Sequence, residues 1–488
     1  MPRPRLSRWV WAIAAAQFAV LVATSTRYGY HRDELYFVVA GQHPAFGYPD
    51  QPPLVPLLVA AMHGIAHSLL LLRLPSALIA AATTVVAALV AREVGGSRRA
   101  ETIAAASTAS SGFALAVGHF VTTTTPDLLT TTLFLWLLVR ALVRRSGPAI
   151  LAAGIVVGVG FEAKPQVGIV AAVAAAVIVA AGPRWPLRSW WTGAGILAAV
   201  ALAAPYLVWQ QLHGWPQVTV AHNIGGSAEG GRIGFIPFQL VMVSPVLVPV
   251  WIAGLLAPYR RPALRDLRCV SIAYVVLGVL YIVGNGKAYY LASLYPALLG
   301  IGALPVAEWT LGKRDRTRAL VVATAVSAVI AAFIALPLLP ERDLQGSFPM
   351  AINPDLGETV GWPRFVDTVT RAWQSIPAVE RAHTAIFTTN YGEAGAVDVL
   401  GRSHGLPRAY SGHNGFSEWG EPPATDEHAL LLGFDAPADA RPQFSGCRRL
   451  ARVDDGVGLD NDEQGLPVLL CRTTASWRSL WPALRHYG

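Results

Sequence analysis

Apolar residues in this chain come in long blocks with short polar breaks between them. Each block approaches the ~20 residues that an α-helix needs to cross a hydrocarbon core. About eleven transmembrane helices are predicted, at 8–25, 71–91, 100–119, 126–143, 148–162, 165–182, 191–210, 237–257, 269–284, 288–308 and 318–339. The stretch 54–68 is apolar but short and interrupted, and reads as a helix lying along the membrane. Near residue 340 the pattern changes. Of the 30 acidic residues, eleven precede that point and nineteen follow it. The short apolar runs Thr384–Thr388, 429–433 and 467–471 read as strands, and 361–376 as an amphipathic helix. The fold class is therefore an α-helical polytopic membrane protein over residues 1–340, followed by a soluble α/β or α+β extracytoplasmic domain over 341–488.

Charge agrees with that division. Of 488 residues, 53% are hydrophobic and 14% charged, where a soluble chain carries about a quarter charged. Alternate loops hold the cations: Arg3, Arg5 and Arg8; Arg92, Arg98 and Arg99; Arg140, Arg144 and Arg145; Arg184 and Arg188; Arg260, Arg261, Arg265 and Arg268; then Lys313, Arg314, Arg316 and Arg318. By the positive-inside rule the amino terminus is cytoplasmic, and an odd number of spans puts the carboxy-terminal domain outside. The expected location is the cell membrane, crossed many times. Most of the net charge of +8 is this collar, which suits an anionic leaflet; nothing points to nucleic acid. The first span could alternatively be a cleaved signal peptide ending near Val22-Ala23-Thr24-Ser25, but ten further spans follow and the orientation works with it retained. Of three cysteines, Cys269 reads as packing. Cys447 and Cys471 flank predicted strands outside the cell, where a disulfide is permitted; the alternative is two buried thiols. Closing that loop would stabilise by roughly 3 kcal/mol.

The candidate chemistry begins at Tyr30-His31-Arg32-Asp33-Glu34-Leu35-Tyr36-Phe37, where two adjacent carboxylates follow the first span. Ionisable groups at a membrane are costly and usually functional. Asp50 precedes Gln51-Pro52-Pro53, a stiff entry to the interfacial segment, and reads either as a site residue or as a turn residue. Asp127, in Thr122-Thr123-Thr124-Thr125-Pro126-Asp127, reads as a second site carboxylate or as a helix-start residue that complements the dipole. There are three lysines against thirty-five arginines, and two of the lysines, Lys164 and Lys287, fall in outer loops otherwise poor in cations. A lysine grips phosphate as a point charge; the plainer alternative is snorkelling at a helix end. A carboxylate that accepts a proton and a lysine that steadies a departing phosphate together suit transfer of a sugar from a polyprenyl-phosphate donor at the outer surface.

The runs HRDELYF, GYPDQPPL, TTTPD, AKP and GKAYYLASLYPALL resemble bacterial family 39 glycosyltransferases. These are integral-membrane enzymes of the GT-C fold, related to protein O-mannosyltransferases and lipid A aminoarabinose transferases. In the tail, Asn390-Tyr391-Gly392-Glu393-Ala394-Gly395, Ser411-Gly412-His413-Asn414 with Trp419-Gly420, and Asn461-Asp462-Glu463-Gln464-Gly465 resemble a branch of that family. The resemblance implies Asp33 as general base, Glu34 shaping the site beside it, and Asp127 as the second acidic position. Lys164, and Lys287 with Tyr289, would hold the donor phosphate. Asp50, Arg32, His222 and Asn223 would contact substrate. Relatives often have Glu-Lys where this chain has Asp50-Gln51, so the phosphate role of that lysine has no counterpart here. The implied partners are a polyprenyl-phosphate sugar, an acceptor hydroxyl on an envelope glycan, lipid or protein, and membrane lipids. Inversion by single displacement is implied. Metal use varies within the fold and no ligand spacing appears here, so no cofactor is assigned and a divalent metal is left open. A transporter or flippase for a lipid-linked sugar is the competing reading. It would more naturally show matched, broken halves, which the sequence lacks. A binding scaffold would have no use for the acidic pair and the outer lysines.

Overall fold

The computed structural model describes residues 5–226, 231–436, 438–440 and 442–488; Arg3 of the predicted collar lies outside the described residues. The chain divides into two compact units, both discontinuous in sequence. One comprises Met1–Ser25, Arg73–Gln211 and Ile224–Leu336; the other Thr26–Leu72, Leu212–Asn223 and Pro337–Gly488.

The first unit is built of apolar helices. Among the described residues six are long and apolar enough to cross a membrane: Leu69–Glu93, Thr124–Arg144, Trp190–Leu212, Pro262–Val283, Ala288–Thr310 and Arg314–Ala335. The pair Arg232–Val243 and Pro245–Arg260, bent by 79°, makes a seventh if it is counted as one broken span rather than a re-entrant loop. Arg8–Thr24, Gly147–Phe161 and Gln166–Ala181 are apolar but shorter, as is Leu54–Ile65 in the second unit. Two stretches predicted as single spans are broken. The stretch 100–119 is two helices, Arg98–Ala109 and Gly112–His119. Ser110 and Ser111 turn their hydroxyls back onto Ala106 and Thr108 carbonyls at 2.6 and 2.8 Å. The stretch 237–257 bends at Ser244, whose φ of +81° no helix accommodates. Hydropathy averages over both breaks.

Close helix crossings rest on glycine. A Cβ on Gly254 would meet the Leu298 carbonyl, and one on Gly302 the Val250 carbonyl, so these two helices touch backbone to backbone. Such small-residue contacts suit helices packed in lipid, where apolar burial between helices gains little. Leu128, Leu135, Val139, Val167, Val170, Leu277 and Leu298 fill the interior. By contrast, Ile196, Leu197, Val321, Val322 and Val329 are more than half exposed. Apolar surface of that extent is tolerable only against lipid.

The second unit carries a five-stranded sheet: β1 Thr384–Thr388, β2 Ala409–Ser411, β3 His428–Leu432, β4 Phe444–Arg452 and β5 Pro467–Thr473. The strand order is β2-β1-β3-β5-β4. β1 lies parallel to β2 and β3, and β5 runs antiparallel to β3 and β4. β1 and β3 are buried apolar runs, as expected for central parallel strands. Phe387, Leu431, Leu469, Trp477 and Trp481 pack beneath them. A register shift between Ser445 and Arg448 sets Cys447 beside Cys471, and the two are joined as a disulfide.

Candidate functional site

Two clusters of chemistry-bearing side chains stand out, one in each unit. The first is organised by the helix Arg32–Gln42. His31 caps it: the His31 ring accepts from the Asp33 amide at 3.2 Å, and Glu34 reaches back to the His31 amide at 2.9 Å. This reciprocal arrangement satisfies two orphan donors of the first turn. It also separates the two adjacent carboxylates. Glu34 has no exposed surface and its carboxylate serves the cap. Asp33, the next residue round the turn, keeps 29% of its side chain exposed. One Asp33 oxygen accepts from the Tyr391 hydroxyl at 2.9 Å, which fixes the direction of the carboxylate, and the other stands 4.0 Å from the His31 ring nitrogen.

Arg32 is engaged from three sides. It lies 2.7 Å from Asp462, 3.4 Å from Glu358, and over the Tyr391 ring at 5.8 Å. Tyr36, one turn further on and buried, donates to Asp50 at 2.7 Å and accepts from the Gly415 amide at 3.1 Å. The Tyr36 ring sits 4.8 Å from Tyr391 and 6.0 Å from Trp419, which stacks on His43. Burial pushes the Asp50 carboxyl up to about 7, against the Tyr36 hydrogen bond, which lowers it. Glu393 caps the helix Tyr391–Leu400 with Asn390, and burial pushes it up to about 7 as well. Burial drives the His413 imidazole down to about 3, with His486 against it.

The motifs of the tail thus have a common purpose. Asn390 and Glu393 start the Tyr391 helix, and Gly392 and Gly395 let it lie against the Arg32 helix. A Cβ on Gly392 would come 2.9 Å from the Arg32 Cβ, and one on Gly395 equally close to the Leu35 carbonyl carbon. Tyr391 holds Asp33, Gly415 holds Tyr36, and Asp462 holds Arg32.

The second cluster lies at the start of the helix Thr124–Arg144. Asp127, in its first turn and fully buried, accepts from Ser293 at 2.5 Å and from Thr131 at 3.2 Å. Lys164, in the turn between two apolar helices, donates to Thr124 at 2.8 Å and lies 5.3 Å from the ring centres of both Tyr289 and Tyr290. Its positive charge acts on the Asp127 carboxylate. Gln166 donates to the Tyr290 carbonyl and so fixes the 3₁₀ segment Ala288–Leu294 that presents both tyrosines and Ser293. Asp127, Lys164 and Tyr289 are therefore brought together in one cluster. Lys287 is exposed and stands just before the 3₁₀ segment. His222 and Asn223 are exposed on the helix Pro216–Gly226, and Asn223 donates to the Tyr487 carbonyl at 2.6 Å. Among the described residues no group of three acidic, histidine or cysteine side chains is arranged to hold a metal ion.

Sequence reasoning gave no role to Tyr36, Tyr391, Gly415, Asp462, Ser293 or Tyr290. The signal for most of them was present in the tail motifs and in AYYLAS, but their partners lie hundreds of residues away.

Residues 50–209 match the family model described as dolichyl-phosphate-mannose-protein mannosyltransferase. That stretch contains Asp50, Asp127 and Lys164. The chain is similar in structure to ArnT from Cupriavidus metallidurans bound to undecaprenyl phosphate. The TM-score is 0.61 at 13% identity, over 96% of this chain and 99% of that one. Apo ArnT from the same organism gives 0.60 at 14% identity, over 95% and 97%. No curated relative matches the chain by sequence.

Proposed function

Starting from a chain that has the GT-C glycosyltransferase fold and is built of apolar membrane helices, we propose that it moves a sugar from a polyprenyl-phosphate donor to an acceptor hydroxyl on the outer side of the membrane. The observation that carries this reading is the division of labour in the acidic pair. Glu34 is consumed by the cap, while Asp33 is oriented by Tyr391 and open to a substrate.

In this reading the acceptor oxygen attacks the anomeric carbon from the face opposite the phosphate and its proton passes to Asp33. The bond from the anomeric carbon to the phosphate oxygen breaks, and the electron pair leaves with polyprenyl phosphate. Attack from the opposite face inverts the anomeric centre. Lys164 supplies positive charge for the donor phosphate, and Tyr289 and Tyr290 limit where its ammonium can go. Such charge complementarity is strongest in a water-poor site. Lys287, exposed, is a second phosphate contact. Asp127 is the second acidic position, in the same cluster as Lys164, while Asp50, Arg32, His222 and Asn223 shape the ground for donor and acceptor. The carboxy terminus and the domain 341–488 lie outside the cytoplasm. Envelope glycan, lipid or protein supplies the hydroxyl.

The test is transfer from a synthetic polyprenyl-phosphate sugar by the purified full-length protein in detergent. Asp33→Asn is nearly isosteric and should fold, bind donor and lose about 10²–10⁴-fold in rate. Lys164→Ala should weaken donor binding as well. Turnover of Asp33→Asn at the parent rate, with a native melting profile, would remove Asp33 as the base.

A further inference from the structure

A groove of about 650 Å³ opens at the amino-terminal end of the helices Arg8–Thr24 and Arg98–Ala109, lined by Leu6, Ser7, Arg8, Trp9, Arg98, Arg99 and Thr102. Three arginines, Arg8, Arg98 and Arg99, line it. The carboxylate nearest in sequence, Glu101, is already committed: one oxygen accepts from Arg92 at 2.8 Å and the other from the Ser7 amide at 2.8 Å. Other basic loops of this unit carry their own counter-ions, as where Glu93 takes Arg140 at 2.6 Å and also Arg144. Around the groove, Arg99 binds the Thr317 hydroxyl, Arg8 lies over its neighbour Trp9 at 5.2 Å, and Arg98 is exposed. Hydroxyls of Ser7 and Thr102, 3.2 Å apart, line the groove between the arginines. Trp9 and Trp11 are each 57% exposed on the first turn of an apolar helix, which is where amphipathic rings sit at a membrane interface.

We propose that this groove binds the phosphodiester headgroup of an anionic membrane phospholipid. The arginines neutralise the phosphate, the hydroxyls hydrogen-bond its oxygens or the glycerol, and the Trp9 ring covers the start of the acyl chains. Arginine forks match phosphate geometry, and the exposed tryptophans place the ligand in the bilayer rather than in free solution. The groove belongs to the first unit alone and shares no residue with the clusters described above.

The experiment is native mass spectrometry of the detergent-purified full chain with added phosphatidylglycerol or phosphatidylcholine. The parent protein should retain one phosphatidylglycerol in preference to phosphatidylcholine. Arg8→Gln/Arg98→Gln should lower that retention about tenfold, in line with the attraction of basic side chains to anionic lipid. Arg145→Gln/Arg260→Gln, which removes two exposed arginines from other basic loops, should leave it unchanged. Equal loss in both double variants would reduce the effect to net charge and overturn the site. Displacement of the lipid by equimolar inorganic phosphate would make this a site for soluble phosphate and overturn the lipid assignment. A second measurement needs no variant: amides of residues 5–9 and 98–102 should exchange hydrogen more slowly in phosphatidylglycerol nanodiscs than in phosphatidylcholine nanodiscs. Identical exchange in the two would also overturn the proposal.

Discussion

Asp50→Asn should remove a specific pH dependence from the stability of the second unit. The Asp50 carboxyl lies beside Tyr36 and titrates near 7 in the folded protein, against an ordinary value of 3.8. Between those values the folded chain holds a proton that the unfolded chain has released. The associated stability is fully present below about pH 4 and is lost as pH rises through 7. At 1.36 kcal/mol for each tenfold change in proton affinity, the full difference is about 4 kcal/mol. Because the side chain is partly exposed, screening brings the usable figure to ~2 kcal/mol. Asparagine does not titrate and can still accept from Tyr36. About two thirds of that figure falls above pH 5, so the parent should lose roughly 2–5 °C more than Asp50→Asn in melting temperature between pH 5 and pH 8.5. Glu393 titrates in the same window and stays in both proteins, so it cancels in the difference. The assay is scanning fluorimetry of both purified proteins across that range. A melting difference that does not change with pH would refute the argument, because a merely structural contact has no reason to follow protons.

Tyr391→Phe should fold, since the ring contacts stay, but the Asp33 carboxylate loses the Tyr391 hydroxyl; kcat is expected to fall about 10–100-fold, the value of one hydrogen bond to a charged group, with donor KM little changed in steady-state kinetics. Gly395→Val should push the Tyr391 helix off the Arg32 helix, costing about 1–3 kcal/mol of strain, seen as a lower melting temperature and faster proteolysis in 26–72. Cys447→Ser/Cys471→Ser should lower stability by about 3–4 kcal/mol from loop closure alone, and mass spectrometry under denaturing conditions should find both thiols in the parent alkylated only after reduction.

Much of the fold was legible because its signals are local. Buried parallel strands read as apolar runs, and β1 coincides with the predicted segment at both ends. β4 escaped because it is an edge strand whose Arg448, Arg449 and Arg452 make it read as a polar loop. β2 has three residues, too few for any pattern. The helix breaks at Ser110–Ser111 and Ser244 depend on hydroxyls and a backbone dihedral that composition does not register. In the two candidate clusters the acidic pair and Asp50, and separately Asp127 and Lys164, were visible as charges out of place. Which carboxylate of the pair is free was not, because that depends on the three-residue spacing of a capping box rather than on residue type. Nor was Tyr391, whose partner Asp33 is 358 residues away.

The union of the Arg32 helix with the tail also sets a timetable for biosynthesis. Tyr36 and Gly415 are 379 residues apart, so at 5–20 residues per second the ribosome needs roughly 20–75 s to deliver the second after the first. Through that interval Arg32 has neither Glu358 nor Asp462, and the helix carrying Asp33 lacks the Tyr391 helix that lies against it. The Asp33 carboxylate receives its Tyr391 partner only when the last third of the chain is being made. A ribosome that stalls earlier leaves behind inserted helices with an unaimed Asp33, and quality-control proteases can recognise such a product by the bare Tyr36 face.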